Sequence, residues 1–152
     1  MEEEGALAGL RVLELGDFIS APYAAKLLAD LGADVVKVEP LAGDSSRRYG
    51  PFRGDIPDLE SSGLYLYLNT SKRGIRLDVA TSAGRGILAD LARQADVVIE
   101  NLDFAFARDA GLKYGHFQEW NPDVILTSIS TFGRTGPRAG WRGDGLLASA
   151  GA

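Results

Sequence analysis

Cysteine is absent from this chain and histidine is scarce, and both shortages narrow the chemistry open to it. The 152 residues include no cysteine and one histidine. Disulfides, thiolate catalysis and cysteine metal sites are therefore excluded, and the lack of cysteine favours a reducing compartment. The single histidine, His116, lies between Gly115 and Phe117 in a predicted helix, where we expect a surface or packing role and not a base. No Ser-His-Asp set, metal-ligand cluster or P-loop is visible in the sequence, so we expect no metal cofactor.

Excess positive charge and long apolar runs are also missing. With 16 basic and 21 acidic residues, the formal net charge is -5, which argues against a general affinity for nucleic acid or an anionic membrane. Any bound anion must then meet a local cluster of cations. Residues 1–5 are acidic and precede a strand instead of a long apolar run, so they predict neither a signal peptide nor a membrane anchor. We expect a cytoplasmic protein.

Short apolar runs that alternate with helical patterns predict an α/β fold. Residues 11–15 and 35–38 are typical of buried parallel strands. Between them, Pro22 suits the first turn of a helix, and apolar residues recur at helical spacing until Gly32. A strand, a helix and a second strand with such short joints favour a right-handed parallel crossover.

The same alternation continues along the chain. Strands are predicted over residues 75–79, 97–99 and 124–129, and a helix is predicted from a Thr81 cap to about Gln94. Residues 64–68 suit a helix or a strand, and a broken helical region extends to Trp120. Residues 40–62 predict a long surface loop, a candidate lid or substrate-facing segment. Together these elements predict one Rossmann-like, doubly wound, mainly parallel sheet over residues 1–152.

The helical pattern at the C-terminal end of the chain is very short. Residues 146–150 begin a small-residue helix, and Gly151 and Ala152 end it at once. A domain rarely ends within the first turn of a helix. We therefore expect the chain to be a fragment of a longer protein.

Ligands in open α/β sheets bind beyond the carboxyl ends of the strands, so the segments that follow strands are the candidate sites. After the first strand, the amides of Ser20 and Ala21 begin a helix and could receive a phosphate or carbonyl oxygen. Alternatively, Asp17 or Ser20 simply caps that helix.

Two further segments combine cations with small residues. Lys72 and Arg73 follow three small polar residues directly before a strand, a mixture that suits phosphate but is also common in solvated loops. Residues 132–144 carry three arginines, several glycines and Trp141. They would suit a nucleotide-bearing cofactor, or form a flexible basic turn.

Motifs that follow one another in a fixed order are distributed along almost the whole chain. They occupy residues 7–15, 21–25, 43–44, 95–101, 121–122 and 128–133, with LADLGADVVKVE at 28–39 and LNTSKRGIRLD at 68–78. In this combination the chain resembles the family III CoA-transferases of the CaiB/BaiF type, a group that includes formyl-CoA and carnitine CoA-transferases and alpha-methylacyl-CoA racemases. The resemblance implies the N-terminal, Rossmann-like part of the family's large domain, with CoA or acyl-CoA as its ligand.

The resemblance also implies a set of CoA-binding residues. These are Phe18, Ile19, Ser20, Asn69, Thr70, Ser71, Lys72, Arg73, Asn101, Leu102 and Arg142. Lys72 and Arg73 thereby gain a phosphate to pair with. Arg142 stands where some members have a lysine near the CoA phosphates.

The chain departs from the family pattern at several positions. Asp109 stands where some members have an arginine, although Arg108 is adjacent. Pro40 replaces a CoA-binding arginine of some relatives, which leaves Arg47 or Arg48 to serve in its place.

The activity implied by the resemblance is the transfer of CoA from an acyl-CoA to a carboxylate acceptor through an aspartyl intermediate. In the family pattern the nucleophilic aspartate lies beyond Ala152, and Asp144 precedes it by one element. No histidine stands near Asp144, where the racemase branch has its catalytic histidine, so a racemase is the less expected branch. We therefore expect no catalytic residue in this chain, which alone would be inactive.

The resemblance implies partners as well. In a full-length protein they would be acyl-CoA and a carboxylic acid. Family members form homodimers of interlocked chains, an assembly that we do not expect of this chain alone. Two other functions stay open: a non-catalytic CoA-binding module, including the inactive half of a tandem protein, and an unrelated dinucleotide-binding domain.

Overall fold

The computed structural model of the protein describes residues 5–141 and 143. Arg142, Asp144 and the helix predicted over residues 146–150 lie outside the described residues.

Five parallel strands form the centre of the described chain. They are β1 (Arg11–Leu15), β2 (Asp34–Glu39), β3 (Arg73–Arg76), β4 (Val97–Glu100) and β5 (Ile125–Ser128). Their order in the sheet is β3-β2-β1-β4-β5, and all four neighbouring pairs are parallel. The order changes direction between β1 and β4, which creates a topological switch point there. The prediction of a Rossmann-like, doubly wound parallel sheet is confirmed.

Five helices connect these strands. They are α1 (Ser20–Asp30), α2 (Gly63–Leu68), α3 (Ser82–Gln94), α4 (Phe104–Asp109) and α5 (Tyr114–Trp120). The open choice at residues 64–68 is thus resolved as helix. Thr81 caps α3 as predicted, because its Oγ1 accepts a hydrogen bond of 3.0 Å from the amide of Gly84.

The third strand begins two residues earlier than the apolar pattern predicted. Arg73 already pairs in register with Val36 of β2, and the strand ends at Arg76. A turn follows in which the amide of Thr81 donates to the carbonyl of Asp78. The apolar residues Leu77 and Val79 therefore lie beyond the carboxyl end of β3, and not inside it.

Apolar side chains cover both faces of the sheet. On one face, the alanines of α1 pack against Val12 and Val35. On the other face, Leu88 of α3 and Phe117 of α5 pack against Leu13. Alanine is the dominant buried residue of α1 at positions 21, 25 and 29, so this helix lies close to the strands.

The segment over residues 40–62 is more ordered than the predicted surface loop. It contains two short 3-10 helices, Ser45–Arg48 and Arg53–Asp55. Asp44, Ser46 and Arg47 are buried, whereas residues 53–60 are exposed. The first part of the segment packs against the sheet because its polar groups find partners there, as described below.

The two glycines of α3 test the packing of the turn between β3 and α3. A Cβ atom on Gly84 would lie 1.9 Å from the carbonyl oxygen of Asp78, whereas one on Gly86 meets nothing within 4 Å. We expect Gly84→Ala to lower the free energy of unfolding by about 2 kcal/mol or more, because backbone must move. Gly86→Ala should raise it by about 0.5–1 kcal/mol through helix propensity. Urea denaturation measures both, and equal effects would contradict this packing.

Candidate functional site

The loop after β1 meets the residue after β4 at the switch point. The side-chain amide of Asn101 donates to the carbonyl of Asp17 at 2.8 Å and to the Oγ of Ser20 at 2.9 Å. Its Oδ1 accepts a hydrogen bond of 2.8 Å from the amide of Asp17. Asn101 and Ser20, both predicted CoA-binding residues, are therefore in direct contact, and Asn101 fixes the start of the loop.

The helix that follows this loop has no side-chain cap. The N-cap residue of α1 is Ile19, which makes no capping hydrogen bond through its side chain. Asp17 instead accepts hydrogen bonds from the amide of Ser45 at 2.8 Å and from its hydroxyl at 2.6 Å. The alternative in which Asp17 or Ser20 caps α1 is therefore wrong, because both side chains bind other segments.

Phe18 adopts an unusual backbone conformation within the same loop. Its φ is 63°, a left-handed value that is rare for a bulky residue. Its amide donates to the Asp44 carboxylate at 3.2 Å, and its ring lies 4.9 Å from that of Tyr49. Strain of this kind persists where surrounding contacts enforce it, and it is concentrated at functional sites.

Two cavities flank the switch point. One of about 510 Å³ is lined by Ser20, Asn101 and the loop that contains Arg134 and Trp141. A second, of about 450 Å³ and mainly apolar, lies beyond the carboxyl ends of β1, β2 and β3 and reaches α4. Leu102 lines both cavities. The predicted residues Ser20, Asn101 and Leu102 are thus brought together at one site.

The sequence prediction missed the apolar wall of the second cavity. This wall includes Leu41, Leu77, Val79 and Phe106. The strand predicted over residues 75–79 includes Leu77 and Val79, whereas both follow the observed strand. Apolar residues placed directly after a strand, where a ligand can lie, were the available signal.

Lys72 is enclosed by the protein. Its Nζ donates to Glu14 at 2.7 Å, to the Pro22 carbonyl at 2.8 Å and to Asn69 at 3.0 Å. Its side chain is 1% exposed. Burial lowers the pKa of Lys72, and the neighbouring carboxylate of Glu14 opposes that effect. All three N–H donors of the ammonium group bind acceptors within the protein. Lys72 is therefore not solvated, although a solvated loop residue was one of the two possibilities. It lines neither of the two cavities.

Arg73 lies at the amino-terminal edge of the sheet, opposite the edge at which the strands end. Its guanidinium pairs with Asp34 at 3.0 and 2.6 Å, at the amino ends of β2 and β3. The side chain of Arg73 is 69% exposed and that of Asp34 is 50% exposed. The structure therefore separates Arg73 from Ser20 and Asn101. Thr70 and Ser71, its exposed neighbours, precede the strand.

Three arginines that could stand in for arginines of the family pattern bind other groups of the protein. Arg47 is buried and forms a two-pronged ion pair with Glu39 at 2.8 and 2.9 Å. Arg48 is exposed and donates to the Ala42 carbonyl at 3.3 Å. Arg108 pairs at the surface with Asp109 at 2.7 Å. Arg47 is therefore unsuited to replace a CoA-binding arginine, since its charge is already matched inside the fold.

A group of buried charges lies beneath α1. We call Glu14, Lys37, Asp44 and Lys72 the buried charge cluster. Lys37 lies 2.7 Å from Glu14, 2.7 Å from Asp44 and 2.9 Å from the carbonyl oxygen of Gly16. Burial disfavours its charge, but Glu14 and Asp44 outweigh burial and raise the pKa of Lys37. Charged residues within strands that are otherwise apolar were the signal for this cluster, because a buried charge needs a partner.

The loop after β5 folds back on the end of β4. Arg134 donates to the buried carboxylate of Glu100 and, at 2.7 Å, to the carbonyl of Leu102. Phe132 and Trp141 contact each other edge to face, with ring centroids 5.9 Å apart, and Arg138 lies 5.4 Å from the Trp141 ring. These contacts order the described part of the segment that was predicted as a cofactor loop or a flexible turn.

Other candidate chemistry is limited in the described ranges, 5–141 and 143. His116 is half-buried on α5. No group of three or more His, Cys, Asp or Glu side chains in these ranges could hold a metal ion. None of the helices found there has the length and apolar character needed to cross a membrane.

The strand order and the polar junction at the switch point define a Rossmann-like α/β protein. Residues 7–152 match the profile of CoA-transferase family III. The chain belongs to this family, and the resemblance inferred from its motifs is confirmed.

Named relatives agree with this assignment. The chain is 43% identical over 144 residues to a succinate–glutarate CoA-transferase of Agrobacterium fabrum, covering 90% of this chain and 35% of that protein. It is 41% identical over 129 residues to a succinyl-CoA:(R)-benzylsuccinate CoA-transferase subunit of Thauera aromatica, covering 85% and 32%. The crystal structure of a CaiB/BaiF family protein from Brucella suis superposes with a TM-score of 0.85 at 36% identity, covering 95% of this chain and 38% of that one. The chain thus spans about a third of the length of these curated relatives.

The ion pair between Glu39 and Arg47 should make the stability depend on pH. Burial opposes ionisation of Glu39, but hydrogen bonds from Arg47, Tyr65 and the Asp44 amide outweigh burial and lower its pKa to about 2. Because the folded-state pKa lies below the ordinary value of 4.5, the stabilisation is complete above that value and is lost as the pH falls toward 2. We expect Glu39 to account for roughly 2 kcal/mol of the loss between pH 7 and pH 3.

Urea denaturation at both pH values measures this contribution. Between pH 7 and pH 3, Glu39→Gln should lose less stability than the wild type does. Glu119→Gln, a change at an exposed position of α5, should keep the wild-type dependence. An unchanged pH dependence in Glu39→Gln would contradict the assigned pKa.

Proposed function

We propose that this chain is the CoA-binding part of a CoA-transferase that moves CoA from an acyl-CoA to a carboxylate acceptor. The observation that carries the proposal is the junction of Ser20 and Asn101 at the switch point of a family III chain. In open α/β sheets this crevice is the ordinary place for a ligand. The relatives named above are CoA-transferases, which supports the same choice.

The proposed ligand would lie across Leu102. This residue lines both the mixed cavity beside Asn101 and the apolar cavity beside Leu77. CoA is long, with an aromatic ring at one end, charged phosphates, and an arm that carries amides and the thiol. A ligand with apolar and polar parts in series matches two adjoining cavities of different character.

The part played by this chain would be to hold the CoA portion during transfer. In the proposed reaction a carboxylate attacks the thioester carbon, and the C–S electron pair leaves with the CoA sulfur, so that an anhydride forms. Two carboxylates at the loop after β1 are already engaged, Asp17 with Ser45 and Asp44 with Lys37. This supports the expectation that the nucleophile comes from outside the described residues.

Calorimetric titration of the purified chain with CoA tests the binding proposal. We expect saturable binding of CoA and none of NAD. Asn101→Ala should weaken CoA binding about tenfold or more, because the loop loses three hydrogen bonds to that side chain. Gln94→Ala, at an exposed position near the end of α3, should bind like the wild type. Saturable binding of NAD but not CoA would favour the dinucleotide-binding alternative.

Transfer activity is expected to be absent from the chain alone. Purified protein would be incubated with succinyl-CoA and glutarate, and CoA thioesters would be separated by liquid chromatography. No glutaryl-CoA should form. The Agrobacterium fabrum relative, a succinate–glutarate CoA-transferase, serves as the positive control. Any enzyme-dependent transfer by this chain would contradict the expectation that its nucleophile is missing.

A further inference from the structure

We propose that Asp44 is a positioning residue that, with the rest of the buried charge cluster, fixes the loop between β1 and α1 before a ligand binds. The loop concerned spans residues 16–19, and the first turn of α1 follows it directly. That it faces CoA rests on the proposed function, but its fixed conformation is a property of the free protein.

Asp44 is at the centre of the contacts that hold this loop. It is 0% exposed. Its Oδ1 accepts hydrogen bonds from the Phe18 amide at 3.2 Å and from the Ser46 amide and hydroxyl at 2.8 and 2.6 Å. Its Oδ2 lies 2.7 Å from the ammonium of Lys37. Its own amide donates to Glu39 at 2.8 Å. The carboxylate is therefore fixed from several directions and offers Phe18 an immobile acceptor.

The cluster holds the loop at three points along its backbone. Lys37 binds the carbonyl of Gly16 at 2.9 Å, Asp44 binds the amide of Phe18, and Lys72 binds the carbonyl of Pro22 at 2.8 Å. These points are the beginning of the loop, its middle and the first turn of α1 that follows it. The two lysines thus act on the backbone that carries the site, which is a different use of Lys72 from contact with a phosphate.

A second set of contacts holds the loop from its other side. Asn101 binds both the amide and the carbonyl of Asp17, and the side chain of Asp17 binds Ser45. Asp17, which directly precedes Phe18, is therefore anchored through both its backbone and its side chain. Its left-handed backbone, with φ 63°, is one that a phenylalanine rarely adopts. Such a conformation needs enforcement, and an already formed loop spares a ligand the cost of ordering it.

Amide hydrogen exchange of the free wild-type chain, followed by NMR, is the first test. The Phe18 amide should exchange at least tenfold more slowly than that of Gly54, which lies in the exposed turn Arg53–Asp55. Equal exchange rates at Phe18 and Gly54 would overturn the proposal without the need for any variant.

Asp44→Asn is the second test, because it keeps the shape of the side chain and removes the charge opposite Lys37. We expect exchange at Phe18 to accelerate at least tenfold, while the Leu13 amide in the core of the sheet stays protected. Asp58→Asn is the matched control, since Asp58 is exposed and accepts only in a local turn, from the Glu60 amide at 3.0 Å. A folded Asp44→Asn protein with wild-type exchange at Phe18 would overturn the proposal.

Calorimetry with CoA separates this proposal from the proposed function. Asp44→Asn should bind CoA at least tenfold more weakly than the wild type and Asp58→Asn do. If the wild type does not bind CoA, the proposed function fails, while the exchange rates still decide whether Asp44 fixes the loop. Wild-type CoA affinity in a folded Asp44→Asn protein would overturn the positioning role.

Discussion

The ammonium of Lys37, enclosed between the carboxylates of Glu14 and Asp44, is the interaction on which the site depends. All three side chains are at most 1% exposed. A buried charge without a partner costs several kcal/mol, so each member of this group requires the others. The pairing joins β1, β2 and the segment after β2, and these elements carry the loop that begins α1. Stability and the geometry of the site therefore rest on the same few atoms.

The first two strands divide their α1 face between two kinds of contact. Near their amino ends, Val12 and Val35 pack against the alanines of α1. Nearer their carboxyl ends, Glu14 and Lys37 pair with each other, in register across the two strands. The apolar half holds the helix against the sheet, and the charged half holds the loop at its start. Because the ligand site of such a fold lies at the carboxyl edge, the polar contacts occur where they can shape that site.

Much of this architecture could be predicted from periodicity and from family motifs. The β1–α1–β2 unit, the capped helix α3 and the meeting of Ser20 with Asn101 follow from local patterns and from strand order. The destinations of Lys72 and Arg73 could not be predicted in this way. They are adjacent in sequence, yet one is buried beneath α1 and the other pairs with Asp34 at the opposite edge. A run of charges in a sequence gives no direction for its side chains, and only the packed structure separates a buried ion pair from a ligand contact.

The strand order also determines when the site can be completed during synthesis. Asp44 and Lys37 follow β1 closely, and Lys37 is 23 positions from Glu14, so this part of the support can assemble early from neighbouring elements. Asn101 is 84 positions from Asp17, and it reaches the loop only after β4 has inserted beside β1. Contacts between distant parts of a chain form slowly because a long segment must first be closed. In a nascent chain the contacts of Lys37 and Asp44 with this loop can therefore form first, and the loop is secured on both sides only when the fourth strand has paired.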